Sequence, residues 1–255
     1  MRIAPRFRLI EFESLPSTNT WLKEAALQGT VEAGTVVVVH HQTAGKGRLG
    51  RSWNSEAGQG LTFSLLLKPV LPPDKITLIS LMTALAVKSG LEEYFNALGQ
   101  VHRLGLRWPN DVMAGGRKLA GLLCETGTGA DGSRFVVAGI GINVNQSEID
   151  FPVGLRTPAS SLYLLTSVVE DPRRILPYVL GGFDEACSRL EREGGSWIPA
   201  AWFEESGIAG SQVAVTDERG GRVVGSASSL TADGALVLDT LDGLRIIRSG
   251  DLTMA

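Results

Sequence analysis

The run Gly34–His41, GTVVVVHH, constrains the fold more than any other segment. Side chains alternate between the two faces of a strand, so four consecutive valines put apolar groups on both. Such a strand must be covered above and below, which predicts a sheet with packing layers on each side. Ser17-Thr18-Asn19-Thr20 ahead of Trp21–Leu27 offers side-chain caps, and Gly29 offers a stop, so a short first helix is expected there. Leu61–Leu67 reads as a second strand, and Pro72-Pro73-Asp74 opens a long helix ending near Phe95. Further strands are expected at 104–108, 118–125 and 135–143, and helical periodicity returns from Pro172 to Glu193. This order describes an α/β or α+β layer built on one main sheet.

The character changes after Ala209. Short apolar runs at 213–215, 222–225, 236–238 and 244–247 are separated by Gly220-Gly221, Asp233-Gly234 and Asp242-Gly243, the signature of a small all-β barrel. No repeat or low-complexity linker intervenes. Two parts, residues 1–208 and 209–255, are therefore expected to pack directly together.

Bulk properties exclude several classes of function. With 24 Lys plus Arg against 27 Asp plus Glu, the chain lacks the basic excess of a general nucleic-acid binder. Cys124 and Cys187 form no CxxC and have no spaced histidines, which argues against a disulfide scaffold or zinc site and fits a reducing cytoplasm. The charged N-terminus has no signal-peptide core. The longest apolar stretch, Ile76–Val87, is bounded by Lys75 and Lys88 and is too short for a membrane span.

Chemistry concentrates in three places. Gly45-Lys46-Gly47-Arg48-Leu49-Gly50-Arg51 contains G-x-G-x-x-G, but it opens no helix and position 70 is Val, not an acid, so a dinucleotide fold is not indicated. Three cations among glycines suit a phosphate or a phosphate-bearing intermediate; a solvated mobile loop is the alternative. In Arg107-Trp108-Pro109-Asn110-Asp111, the proline ends a strand and leaves Asn110 and Asp111 at its mouth, with Lys118 near the start of the next strand. Asp111 and Lys118 are either a structural ion pair or groups that hold a metal or nucleotide and neutralise a phosphoryl charge. In Gly139-Ile140-Gly141-Ile142-Asn143, two missing side chains mean either tight packing or room for a ligand.

Together these segments resemble the biotin–protein ligase family. The matching stretches are STNTW (17–21), HQTAGKGRLGRSW (41–53), RWPND (107–111), RKLAGLL (117–123) and GIGINVN (139–145), in that family's order. The resemblance implies an α+β fold: a catalytic domain with a central mixed sheet flanked by helices, plus a small SH3-like C-terminal β-barrel. It implies adenylation of biotin by ATP with Mg2+, then transfer to a lysine of a biotin carboxyl carrier domain. Regulatory members of the family carry an N-terminal DNA-binding domain; ligase-type sequence here begins at Ser17, so a member without that domain is expected. No nucleic-acid or membrane partner is implied, and a homodimer is.

The resemblance also implies roles for single residues. Ser17, Thr18, Asn19 and Gln42 would bind the ureido ring of biotin. Lys46, Gly47 and Arg48 would close over biotin and the adenylate, with Arg51 on the phosphate side. Lys118 would contact the reacting carboxylate and phosphate oxygens, and with Arg48 and Arg51 would form the catalytic set. Gly121, Gly139 and Gly141 would shape the biotin pocket. Asn110, Asp111 and Asn143 would face the nucleotide, Asp111 would be the magnesium-linked carboxylate, and Trp53 would belong to a closing lid. Lys46 and Arg107 stand where the family usually has Arg and Lys, respectively, exchanges that keep charge but change hydrogen-bonding geometry. A lipoate- or octanoate-type ligase of the same fold, and a non-catalytic biotin sensor, are the competing readings.

Overall fold

The valine run is the second strand of a seven-stranded sheet with helices on both faces. The computed structural model describes residues 4–54, 56–217 and 219–255. Its elements are β1 (Arg8–Leu15), α1 (Thr18–Leu27), β2 (Thr35–Gln42), β3 (Gly60–Leu67), α2 (Leu78–Ala97), β4 (Leu104–Arg107), β5 (Asp111–Ala114), β6 (Arg117–Thr128) and β7 (Arg134–Asn143). Then come α3 (Leu162–Thr166), α4 (Leu176–Glu193), α5 (Ile198–Ser206), β8 (Gln212–Thr216), β9 (Arg222–Leu230), β10 (Leu236–Thr240), β11 (Gly243–Ile247) and β12 (Asp251–Met254).

The large sheet runs β1-β2-β3-β7-β6-β5-β4. Only β1 and β2 are parallel, so the sheet is mixed as expected. Val36 and Val38 enter the main core with α2, α4 and α5, whereas Val37 joins Leu22 and Ala26 of α1 in a smaller core on the other face. Burial on both faces is the physical reason the segment needs no polar alternation.

Ser17 caps α1, accepting from Thr20 N at 3.4 Å, and Gly29 follows its end at φ 70°. Five elements have no counterpart in the sequence reading: β1, β5, α3, α5 and β12. In β1 (RLIEFESL) acidic and apolar residues mix at a sheet edge, and β5 spans only four residues. The strand expected to return directly to Lys118 is thus preceded by a short one that begins at Asp111.

The second sheet, β11-β10-β9-β8-β12, is antiparallel throughout. Val213, Val215, Ala227, Leu236, Leu238 and Leu252 share one apolar core with the large sheet and its helices. The β9–β10 turn is anchored there: Thr77 Oγ1 donates to Asp233 O at 2.8 Å and Trp108 Nε1 donates to Gly234 O at 3.4 Å. β12 is thereby carried to the end of the sheet where the sequence motifs gather, and its first residue, Asp251, enters their cavity.

Candidate active site

Register explains why one patch of the large sheet is hollow. Directly opposed residues share a face, and Val39, Thr62, Gly141, Gly121, Asp111 and Arg107 form one such row across five partnerships. A second row on that face is Val37, Ser64, Gly139 and Leu123. The row between them points the other way and is Val38, Phe63, Ile140 and Leu122, all in the main core. One face is therefore filled with large apolar groups. The other is small and polar, and α1 covers only part of it.

A cavity of about 110 Å³ occupies the uncovered part. At one end the N-terminus of α1 meets β2 and β3. Gln42 Oε1 accepts from Thr18 N at 2.8 Å and lies 3.1 Å from Thr18 Oγ1, which fixes the orientation of its carboxamide. Asn19 Nδ2 donates to Leu123 O at 3.1 Å and to Glu125 Oε2 at 3.0 Å. Ser64 Oγ lies 2.6 Å from Asn19 Oδ1 and 2.7 Å from Thr18 Oγ1. Asn19 Oδ1 carries no proton, so Ser64 donates to it. A Cβ on Gly139 would fall 2.2 Å from that oxygen, so only glycine lets the Asn19 amide lie on the sheet.

The basic segment is a folded hairpin. Lys46 pairs with Ser52, Gly47 N donates to Arg51 O at 2.7 Å, and Trp53 N donates to Gly45 O at 2.9 Å. Its tip, Arg48–Gly50, turns through left-handed backbone at Leu49 and Gly50. Arg48 Nη1 donates to Asn110 Oδ1 at 3.1 Å, and Asn110 Nδ2 donates to Leu122 O, so the hairpin is tied to the sheet. The Trp53 indole lies flat on Gly141 and Gly121. A Cβ at Gly141 would come within 2.2 Å of the ring and one at Gly121 within 2.8 Å.

A bulge aims Lys118. Val112 opposes Ala120 but Met113 opposes Lys118, so β6 has one extra residue, Leu119, which is wholly buried in the helix-side core. Regular alternation would send Lys118 to that core; the bulge turns it to the cavity face instead. Its Nζ lies 2.7 Å from Asp111 Oδ1 and 5.6 Å from the centre of the Trp53 ring. The ion pair between Asp111 and Lys118 is thus present, and it lies inside the cavity.

Beyond Trp53 a larger cavity, about 350 Å³, shares Arg51, Trp53, Asn110, Asp111, Lys118 and Asp251 with the first. Arg107, Asn143, Arg156 and Thr157 also line it. Its cations already have partners: Asp251 binds both Arg51 and Arg156, the latter at 2.7 Å, and Arg107 Nη1 donates to Thr157 Oγ1 at 2.7 Å. The smaller cavity therefore has a neutral hydrogen-bonding end at α1 and a charged end at Lys46, Arg48, Arg51 and Lys118, and the charged end opens into the larger cavity.

Comparison with known proteins shows the family. Residues 11–145 match the model of the biotin/lipoate A/B protein ligase family, and 208–252 match the biotin protein ligase C-terminal domain. The bifunctional ligase/repressor BirA of Bacillus subtilis is 35% identical over 247 residues, covering 96% of this chain and 74% of that protein. The chain belongs to the biotin/lipoate A/B protein ligase family. The biotin–[acetyl-CoA-carboxylase] ligase of Mycobacterium tuberculosis is 32% identical, covering 92% of this chain and 85% of its own length. The Aquifex aeolicus biotin protein ligase, solved with biotin and ATP, superposes with a TM-score of 0.79 at 31% identity, covering 97% of this chain and 99% of that one.

Against this ligase framework the motif residues converge. Ser17, Thr18, Asn19, Gln42, Lys46, Gly47, Arg48, Arg51, Trp53, Asn110, Asp111, Lys118, Gly121, Gly139 and Gly141 all line the smaller cavity. Asn143 lines only the larger one, where its Nδ2 donates to Ser160 O at 2.9 Å and Lys118 O at 3.4 Å. Ser64, Thr62, Arg156 and Asp251 escaped the sequence reading. Ser64 and Thr62 carry a readable signal, since they are hydroxyls alternating within the apolar strand GLTFSLLL. Arg156 and Asp251 carry none, because the one lies in an irregular segment and the other near the far end of the chain.

Proposed function

We propose that the chain is a biotin–protein ligase, which activates biotin with ATP and passes it to a lysine of a biotin carboxyl carrier domain. The observation that carries this reading is a neutral hydrogen-bonding pocket that runs through Lys118 into a cation-lined cavity, in a chain of this family. A cyclic urea presents a carbonyl acceptor between two N–H donors. The smaller cavity offers matching free groups: the Gln42 NH2, the Ser17 hydroxyl proton and the second lone pair of Asn19 Oδ1. Thr18 supports Gln42 from behind, while Gly121, Gly139 and Gly141 keep the floor thin.

In the first step the biotin carboxylate oxygen attacks the α-phosphorus of ATP, a P–O bond forms, and the bond to pyrophosphate breaks. Lys118, Arg48 and Arg51 hold the two anions together and stabilise the charge on the phosphoryl oxygens. Lys46 and Gly47 close over the product, Trp53 shields it from water, and Asn110, Asp111 and Asn143 face the nucleotide. In the second step the carrier's lysine amine attacks the acyl carbon, loses a proton, and AMP departs with the former carboxylate oxygen.

Mg2+ fits this site as an ion carried in by ATP. Asp111 already has the Lys118 ammonium at 2.7 Å, and among the described residues no three His, Cys, Asp or Glu side chains cluster. Magnesium commonly uses one or two carboxylates plus substrate phosphates, so Asp111 is the residue that would reach it, and the ion would neutralise the phosphates.

Residues 1–208 are the catalytic domain in this reading, and 209–255 are an accessory domain that supplies Asp251. A homodimer belongs to the reading, as does the cytoplasm, where Cys124 and Cys187 stay free thiols. Nucleic acid has no part in the reaction. Among the described residues no helix is long and apolar enough to cross a membrane. Incubation with ATP, biotin and a biotin carboxyl carrier domain should give a streptavidin-reactive carrier; absence of product with a folded enzyme refutes ligation.

A further inference from the structure

Glu125 lies on the cavity-side face of β6, two positions beyond Leu123 and outside the cavity wall. One oxygen, Oε2, accepts from Asn19 Nδ2 at 3.0 Å; the other, Oε1, holds Lys23 Nζ at 3.0 Å. Resting on the biotin-ligase reading, we propose that Glu125 is a positioning residue for urea recognition, setting the place and polarity of the Asn19 carboxamide. The Leu123 carbonyl and the Glu125 carboxylate both demand N–H donors, so Asn19 cannot turn its NH2 toward the ligand. Its oxygen then faces Ser64 and the cavity as an acceptor suited to a ureido N–H.

The carboxylate adds more than geometry. A charge-assisted bond on one end of an amide polarises the carbonyl at the other, strengthening it as an acceptor. Burial alone would raise the Glu125 pKa, but hydrogen bonds from Lys23 and Asn19 and the charges of Lys23 and Lys46 outweigh it. Glu125 is consequently anionic at neutral pH. The same charge faces Lys46, on the hairpin that covers the pocket, so hairpin and pocket floor share one partly buried anion.

Calorimetry with wild type, Glu125→Ala, Glu125→Gln and Lys23→Met, each titrated with biotin, desthiobiotin and ATP, tests this. Glu125→Ala should weaken biotin about tenfold, the order expected for losing one charge-assisted hydrogen bond, and desthiobiotin by the same factor because it keeps the urea. ATP binding should be unchanged. Glu125→Gln should fall between, since its single amide oxygen can still serve Asn19, and Lys23→Met should stay within about twofold because Glu125 keeps its bond to Asn19. Folded Glu125→Ala that binds biotin like wild type, or that loses biotin and ATP equally, overturns the proposal. Should Glu125→Ala not fold, wild-type biotin affinity in Glu125→Gln overturns it. Wild type that binds no biotin would instead refute the ligase reading itself.

Discussion

The two ends of the joined cavities, with Lys118 between them, are built on opposite physical terms. At the α1 end, the recognition groups Ser17, Thr18, Asn19 and Gln42 are neutral, buried and bonded to their surroundings, so their orientations are set before a ligand arrives. Toward the larger cavity, they are cations on partly exposed side chains, paired with Asp111 and Asp251. A neutral ring must be matched by fixed dipoles because it has no charge to reorganise its surroundings. A polyphosphate can displace carboxylates from arginines and so tolerates a mobile, charge-paired site. Specificity for the urea is thereby lodged in the rigid end and phosphate handling in the adjustable one.

Removing the shared cation should blur this contrast most. Lys118→Ala is expected to lower adenylation about a thousandfold by taking away charge stabilisation at phosphorus, with folding intact; pyrophosphate exchange measures it. An unchanged rate would sever Lys118 from the chemistry. Gly141→Ala comes next. Its methyl collides with the Trp53 ring and should cost about 1–3 kcal/mol of stability while weakening both ligands, because Trp53 borders both cavities. Thermal melting and two titrations would detect it; loss confined to one ligand would mean that Trp53 is not the partition.

Salt should separate the two regions more gently. Raising ionic strength from about 0.05 to 0.5 M should raise the KM for ATP several-fold, since screening acts on exposed charges, and leave the KM for biotin nearly constant. Equal responses would contradict the contrast. The smallest effect concerns acid. The Glu125 pKa lies below its ordinary value of 4.5, so the folded state gains from the ionised form above about pH 4.5 and loses that gain as pH falls through the lower folded value. Stability and biotin affinity should show no Glu125 contribution to pH dependence from pH 8 to 5 and decline below 4.5, a decline diminished in Glu125→Gln.

How much of this was legible in the sequence follows the same division. Groups adjacent in the chain could be read together: the hairpin at 45–51, the α1 N-terminus at 17–19, and the glycines at 139 and 141. The valine run announced a sheet covered on both faces because strand alternation is a local rule. What depends on register was invisible. The Ser64 hydroxyl stands out in its apolar strand, but its place opposite Gly139 could not be read, and Lys118 reaches the cavity only because Leu119 forms a bulge. Asp251 was beyond any local signal, since its place depends on how the second sheet docks through Thr77 and Trp108. β1 and β12 were missed for a related reason: sheet edges need little apolar alternation, so they leave a faint pattern.

The account's central claim is that the rigid pocket selects the acid that the charged cavity activates. Pyrophosphate exchange into ATP, measured with biotin, with lipoate and with neither, tests it most directly. The account predicts exchange with biotin that is lost in Lys118→Ala, and background rates with lipoate or no acid. Exchange supported by lipoate as well as by biotin, or proceeding without either, would contradict it.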